Sequence, residues 1–184
     1  MPMTLEKLFS QTIRATNSAT NSATNSVVAG LIDHRLSEVE FTGVTDLPAA
    51  VQRSRVIVTA TPSTKPLIQA DWVQPGTHLN AIGADMEGKQ ELDAKLFQGA
   101  QAYTDDVPQA SEVGEIQNPI KAGVIKPEQV VEIGNSLLDP TLGRHDANAI
   151  TIFDSTGIAL QDLAAANLVF VRAKEQGVGT QVDL

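Results

Sequence analysis

The sequence predicts an α/β protein, a partial doubly wound parallel sheet followed by a long C-terminal helix. Three observations lead there. Short apolar, β-branched runs alternate with segments of helical periodicity. Each apolar run ends in small, polar or acidic residues. The last long segment, Ile158 to Gln176, is rich in Ala, Leu and Val and is stopped by Gly177.

The first 26 residues stand apart. Met1 to Arg14 can form one or two amphipathic turns, and Ala-Thr-Asn-Ser then occurs three times without a break, Ala15 to Ser26. Such residues compete with backbone hydrogen bonding and bury little apolar area, so residues 1–26 read as a low-complexity, disordered segment. Val27 to Ser37 has helical spacing, and Val39 to Val44 reads as a short strand. Asp46 is placed to cap a helix from Leu47 to Arg53, with Pro48 in its first turn. Arg55 to Ala60 has the length and branching of a central parallel strand, ended by Thr61-Pro62-Ser63. Leu67 to Val73 reads as a short helical segment.

The centre of the pattern is Gly76 to Lys89, where the apolar run Leu79 to Ile82 breaks into Gly83-Ala84-Asp85 and then Gly88-Lys89. A buried strand reads this way when it ends in a ligand-holding loop. Glu91 to Phe97 is then expected as a helix and Gln101 to Thr104 as a strand ending at Asp105-Asp106. Ala110 to Ile116 is expected as a helix interrupted by Asn118-Pro119, and Gln129 to Leu138 as another helix, with Gly134 an irregularity inside it. After the polar loop 142–148, Ala149 to Phe153 is the last strand, ending in Asp154-Ser155-Thr156-Gly157. The apolar residues of the final helix lie on more than one face, which predicts burial on two sides or packing against a partner chain.

Composition narrows the functions. The chain has 184 residues, 42% hydrophobic and 19% charged, as in an ordinary globular domain. A net charge of −9 disfavours nucleic acid as a partner. No segment has the ~20 apolar residues of a membrane helix. With no cysteine there is neither a disulfide nor a thiolate metal site, which fits a cytoplasmic protein. His34, His78 and His145 lack partners at helical spacing, so no metal site is expected.

Four strand ends, Thr59 to Ser63, Ile82 to Asp85, Asp105-Asp106 and Asp154 to Gly157, would share one rim of a parallel sheet, where ligands bind. Asp85 there is either an acid/base or ribose-binding group, or the cap of a following helix. Lys89 could neutralise a phosphate or remain a solvated lysine. Thr59, Thr61 and Ser63 could bond a cofactor or cap a helix, and His78 reads as structural. Gly88-Lys89 lacks the glycine frame of a P-loop, and no Gly-x-Gly-x-x-Gly turn occurs in the chain.

Val58-Thr59-Ala60-Thr61-Pro62-Ser63, then Trp72 to Asp85, then Gly88-Lys89-Gln90-Glu91-Leu92-Asp93, resemble the ornithine cyclodeaminase/mu-crystallin family, as do Gly114-Glu115-Ile116-Gln117 and Ile152 to Asp162. The resemblance runs in order from about Val39 to the C-terminus. It implies a homodimeric, NAD- or NADP-dependent enzyme with a Rossmann-like domain, here residues 27–157, and a separate substrate and dimerisation domain. The helix and tail of residues 158–184 would pack on that second domain. The implied substrate is a small amino or imino acid. One implied reaction is cyclisation of an amino acid with loss of ammonia; ketimine or pyrroline-2-carboxylate reduction and alanine dehydrogenation are alternatives.

By motif match, Asp85 is implied as the acid/base residue, its pKa tuned by burial. Thr59, Thr61, Ile82, Gly83, Ala84, Lys89 and Ser155 are implied as cofactor contacts, and Thr156 as a substrate contact. The departures are the glycine turn, the ribose-binding acid and the substrate domain, so the sequence reads as a family chain without its N-terminal half. A catalytically inactive remnant or interaction module is the alternative reading.

Overall fold

The computed structural model describes residues 42–180 and residue 182. The 1–26 segment, the helix expected over 27–37 and residues 39–41 of the expected strand lie outside the described residues. Residues 42–44 carry no regular structure. In chain order the elements are α1 (Leu47–Arg53), β1 (Val56–Thr59), β2 (Thr64–Ile68), β3 (His78–Ala81), β4 (Gln90–Leu92), β5 (Gln101–Thr104), α2 (Val107–Val113), α3 (Gln117–Lys121), β6 (Val131–Glu132), α4 (Ile133–Leu138), β7 (Thr151–Asp154) and α5 (Ala159–Gln176).

Five strands form one parallel sheet in the order β1-β3-β7-β5-β6. The register is tight: Ile57, Leu79, Ile152 and Ala102 lie in one row, and Thr59, Ala81, Asp154 and Thr104 in the next row on that face. That face is the buried one. Ile57, Leu79, Ala81, Ala102 and Ile152 join Val51 of α1, Leu92 of β4, Phe97 and Ile116 in one core. Each large side chain fully buried there contributes about 1.5–3 kcal/mol.

The opposite face carries the row Val58, Asn80, Phe153 and Tyr103. Toward β5 it is covered by the loop before β7, where the Tyr103 hydroxyl donates to the Leu142 carbonyl and Arg144 donates to Thr77 and Thr151. Toward β1 it is open among the described residues, with Val56 and Val58 half exposed.

Local chemistry accounts for the ends of the elements. The Asp46 carboxylate accepts from the Ala49 N–H and starts α1, with Pro48 in the first turn. Asp106 does the same for α2 through the Gln109 N–H. Gly177, at φ 65°, closes α5 in the left-handed conformation that glycine adopts without strain.

Several expected elements are corrected. The segment 67–73 is not helical: β2 ends at Ile68, and a single 3₁₀ turn follows at Ala70–Trp72. Glu91 to Phe97 is also not a helix. Gln90–Leu92 pairs with β2 as a separate two-stranded parallel ribbon, Thr64 opposite Gln90 and Ile68 opposite Leu92, and Asp93 caps only a 3₁₀ turn. A strand partner more than twenty residues away overrides the local helical spacing.

Asn118-Pro119 does not interrupt a helix either. It lies in the first turn of α3, where the missing proline N–H has no intrahelical role. The expected 129–138 helix is split by β6, which pairs with β5 and leaves only α4 helical. The long C-terminal helix forms as expected, but none of its residues is buried among the described residues.

Candidate functional site

The parallel register puts the ends of β1, β3, β7 and β5 side by side on one rim. The Ile82 N–H donates to the Thr59 carbonyl at 2.9 Å, and the Ser155 N–H donates to the Ala81 carbonyl at 2.9 Å. Thr59, Ile82 and Ser155 are thereby brought together across three neighbouring strands. Thr59 Oγ1 is buried and has no hydrogen-bond partner among the described residues. In the loop after β3, Ile82 and Met86 expose apolar surface, 49% and 57% of their areas. An orphaned hydroxyl and exposed apolar side chains at the carboxyl ends of parallel strands suit a ligand with a flat ring and polar edges.

The loops beyond the strands are held from below by buried acids. Glu91, fully buried in β4, accepts from the Thr61 N–H at 2.6 Å and from the Gly83 N–H at 3.0 Å. Glu115, buried at the α2–α3 junction, accepts in turn from the Glu91 N–H at 2.5 Å and the Leu92 N–H at 3.1 Å. Asp154, at the end of β7, accepts from the Ile116 N–H at 3.0 Å through Oδ2, while its Oδ1 is unpartnered.

Burial pushes the Glu115 carboxyl up to about 8 and that of Asp154 up to about 7. Two glycines make the packing achievable. A Cβ on Gly83 would lie 2.3 Å from the Thr61 carbonyl oxygen, and one on Gly114 would lie 2.3 Å from Asp154 Oδ2.

Asp105, after β5, binds the start of the next connection. Its carboxylate accepts from the Thr156 N–H at 3.1 Å, the Thr156 hydroxyl at 2.8 Å and the Gly157 N–H at 3.2 Å. Thr156 is therefore buried, and its hydroxyl also accepts from Gln109 at 3.0 Å.

The Asp85–Lys89 loop lies between β3 and β4. Gln117, fully buried, accepts from the Gly88 N–H at 3.1 Å and fixes that loop. Asp85 pairs with Lys89, and its carboxyl is 56% exposed. The pairing with Lys89 holds the Asp85 carboxyl below its ordinary range. This corrects the expectation that burial tunes Asp85: a neighbouring ammonium does so, in the opposite direction. The helix-cap reading of Asp85 is corrected too, because a turn and β4 follow it instead of a helix. Ala84, between Gly83 and Asp85, is fully buried.

His78 lies at the start of β3, at the end of the sheet away from the rim, with Nδ1 2.7 Å from the Thr151 hydroxyl and Nε2 3.2 Å from Asn80 Oδ1. Burial lowers its pKa. Among the described residues no three His, Cys, Asp or Glu side chains cluster as metal ligands, and no helix is long and apolar enough to cross a membrane.

Sequence reasoning gave no role to Glu91, Glu115, Asp154 or Asp105 as internal anchors. Nothing in the polar surroundings of Glu91, Lys89-Gln90 before it and Asp93 after it, marks it as buried.

The chain is 47% identical to the alanine dehydrogenase of Archaeoglobus fulgidus over 131 residues, 71% of this chain and 41% of that protein. It is 45% identical to the iminosuccinate reductase of Paracoccus denitrificans over 129 residues, 70% of this chain and 40% of that protein. The crystal structure of that reductase in complex with NAD+ superposes with a TM-score of 0.80 at 37% identity, covering 94% of this chain and 52% of the other. The Thermococcus litoralis Δ1-pyrroline-2-carboxylate reductase, in complex with NADH and L-proline, gives 0.79 at 25% identity, over 92% of this chain and 52% of the other. The chain thus spans about half the length of the solved relatives and about two fifths of the curated ones. The sheet is the Rossmann-like sheet of these relatives. The profile of the ornithine cyclodeaminase/mu-crystallin family matches residues 5–177, and the chain belongs to that family.

Proposed function

We propose that this chain carries part of an NAD(P)-linked site that interconverts a small amino acid and its imine at Cα. The observation that carries the reading is the rim itself: Ile82 bonded to Thr59, Ser155 bonded to Ala81, an orphaned hydroxyl on Thr59 and an exposed Ile82. Thr59, Thr61, Ile82, Gly83, Ala84, Lys89 and Ser155 are the proposed cofactor contacts, and Thr156 the proposed substrate contact. The dinucleotide, when bound, supplies hydride acceptance and donation.

The chain's own residues hold, orient and move protons. Asp85, kept ionised by Lys89, is poised as a base that accepts the proton released when an amine becomes an imine. The missing side chain at Gly83 lets its loop pack directly on Thr61, where any Cβ would collide. The Thr156 hydroxyl, already between Asp105 and Gln109, is fixed in orientation. In the whole protein, α5 packs on a substrate and dimerisation domain, which covers its apolar residues.

Two of the relatives most similar in sequence are named as an alanine dehydrogenase and an iminosuccinate reductase, which favours net oxidation or reduction over cyclisation. Loss of ammonia with ring closure is the second reading. A lysine cyclodeaminase structure superposes with a TM-score of 0.73 at 27% identity, covering 93% of this chain.

Calorimetric titration of NAD and NADH into the protein, followed by NADH-linked assay with alanine and pyrroline-2-carboxylate, tests the proposal. Binding with turnover that Asp85→Asn abolishes supports it. Unchanged turnover in Asp85→Asn removes Asp85 from the mechanism, and absence of dinucleotide binding removes the site.

A further inference from the structure

The last backbone bond between the two loops that carry most of the proposed cofactor contacts runs from the Ile82 N–H to the Thr59 carbonyl, at 2.9 Å. Beyond the ends of β1 and β3 the ladder stops, and the N–H groups of Thr61 and Gly83 find no backbone acceptor among the described residues. Both are taken by one side chain. Glu91 Oε1 accepts from Thr61 and Oε2 from Gly83, from a position that is fully buried beneath the loops. The loops touch directly there, since a Cβ on Gly83 would lie 2.5 Å from the Thr61 nitrogen and 2.6 Å from Glu91 Cδ.

A carboxylate suits this task and a neutral amide does not. Its two oxygens can each accept from a separate backbone donor, whereas a glutamine offers one acceptor and turns an N–H₂ toward the other N–H. The bonds are also charge-assisted and stronger than neutral ones. Glu91 is itself held, because Glu115 binds the N–H groups of residues 91 and 92 and the Ile116 N–H is bound by Asp154. A chain of side-chain-to-backbone bonds therefore links the end of β7 to the loops after β1 and β3.

We infer that Glu91 is the positioning residue of the cofactor cradle: its carboxylate fixes the loops beyond that last rung, 61–63 and 83–89, against one another, and through that placement the affinity for a dinucleotide. The inference rests on the proposed NAD(P) site and adds to it a residue that touches neither cofactor nor substrate.

The test uses the whole chain and NAD as the probe, with amide hydrogen exchange read by NMR. Glu91→Gln should weaken NAD binding at least about tenfold, the effect of losing one charge-assisted bond, and speed exchange of the Thr61 and Gly83 amides by a similar factor. Glu91→Asp keeps the charge but withdraws it by one methylene, and should fall between wild type and Glu91→Gln. It also decides the matter if Glu91→Gln does not fold, since an affinity equal to wild type would then overturn the inference. Ile152→Val, a core substitution away from the clamp, separates positioning from general destabilisation: it should lower the melting temperature yet leave NAD affinity within about twofold. Wild-type affinity in Glu91→Gln, or an equal loss in Ile152→Val, overturns the inference alone. A wild-type chain that binds no NAD overturns the proposed site and the inference with it.

Discussion

The carboxyl rim of the sheet and the helix α5 treat hydrophobic and polar residues in opposite ways. At the rim, Glu91, Glu115, Asp154, Thr104 and Gln117 are almost or wholly buried. In α5, Leu160, Leu163, Val169 and Phe170 are each about two-thirds exposed, and no residue is buried. Polar groups inside and apolar groups outside both run against the general tendency of folded chains. At the rim the inversion is satisfied internally, since nearly every buried carboxylate oxygen meets a backbone N–H. On α5 nothing among the described residues satisfies it. The difference separates a region that satisfies its buried polar groups internally from a helix whose apolar residues stay exposed among the described residues.

Substitutions can break or sharpen this contrast. Ile152→Ala, in the row that joins all the rim strands, should cost about 4 kcal/mol in urea unfolding, the upper range for a fully buried branched residue. Gly83→Ala, which drives a Cβ into the Thr61 backbone, should cost about 3 kcal/mol and also weaken NAD binding.

The buried carboxyls predict an inverted pH response. Glu115 and Asp154 keep their protons in the folded state up to about 8 and about 7, whereas the unfolded chain releases them near 4.5 and 3.8. Between these limits the folded state holds more protons, so stability falls as pH rises. The fall should run from about pH 5 to about pH 8. Melting curves across that range would register it, and Glu115→Gln should flatten them.

Lys89→Met should leave stability within about 1 kcal/mol, because its partner Asp85 is exposed, while NMR titration should find the Asp85 carboxyl taking up its proton at higher pH. Smallest of all, Leu163→Ser on α5 should change the unfolding free energy by less than about 0.5 kcal/mol in this chain. A loss above 1 kcal/mol, roughly the mean for point mutations, would mean that α5 is covered in solution and would end the contrast.

The four rim strands were legible because each is a short β-branched or apolar run closed by residues that cannot continue a ladder. The Asp46 cap and the Gly177 stop were legible because capping chemistry is local. The β2–β4 ribbon was not. Leu67, Ile68 and Val73 have helical spacing, and the strand that claims Thr64 to Ile68 lies beyond β3 in the chain. For the site, Asp85, Gly83 and Lys89 are marked by their own identities, but Glu91 is marked by nothing nearby. Its partners are backbone N–H groups thirty residues before it and eight residues before it, and a backbone N–H leaves no trace in side-chain pattern. That Asp85 is tuned by Lys89 was equally hidden, because it depends on the turn at Met86–Lys89 closing the ion pair.

The grip of Asp105 on Thr156 and Gly157 has a mechanical side. Those residues are the root of an 18-residue helix about 27 Å long that is seated on nothing else described here. A rod clamped at one end is a lever whose pivot is the clamp. A load on α5 far from the sheet reaches Gly157 and Thr156 through the backbone, and the Asp105 carboxylate that binds them is the pivot it works against.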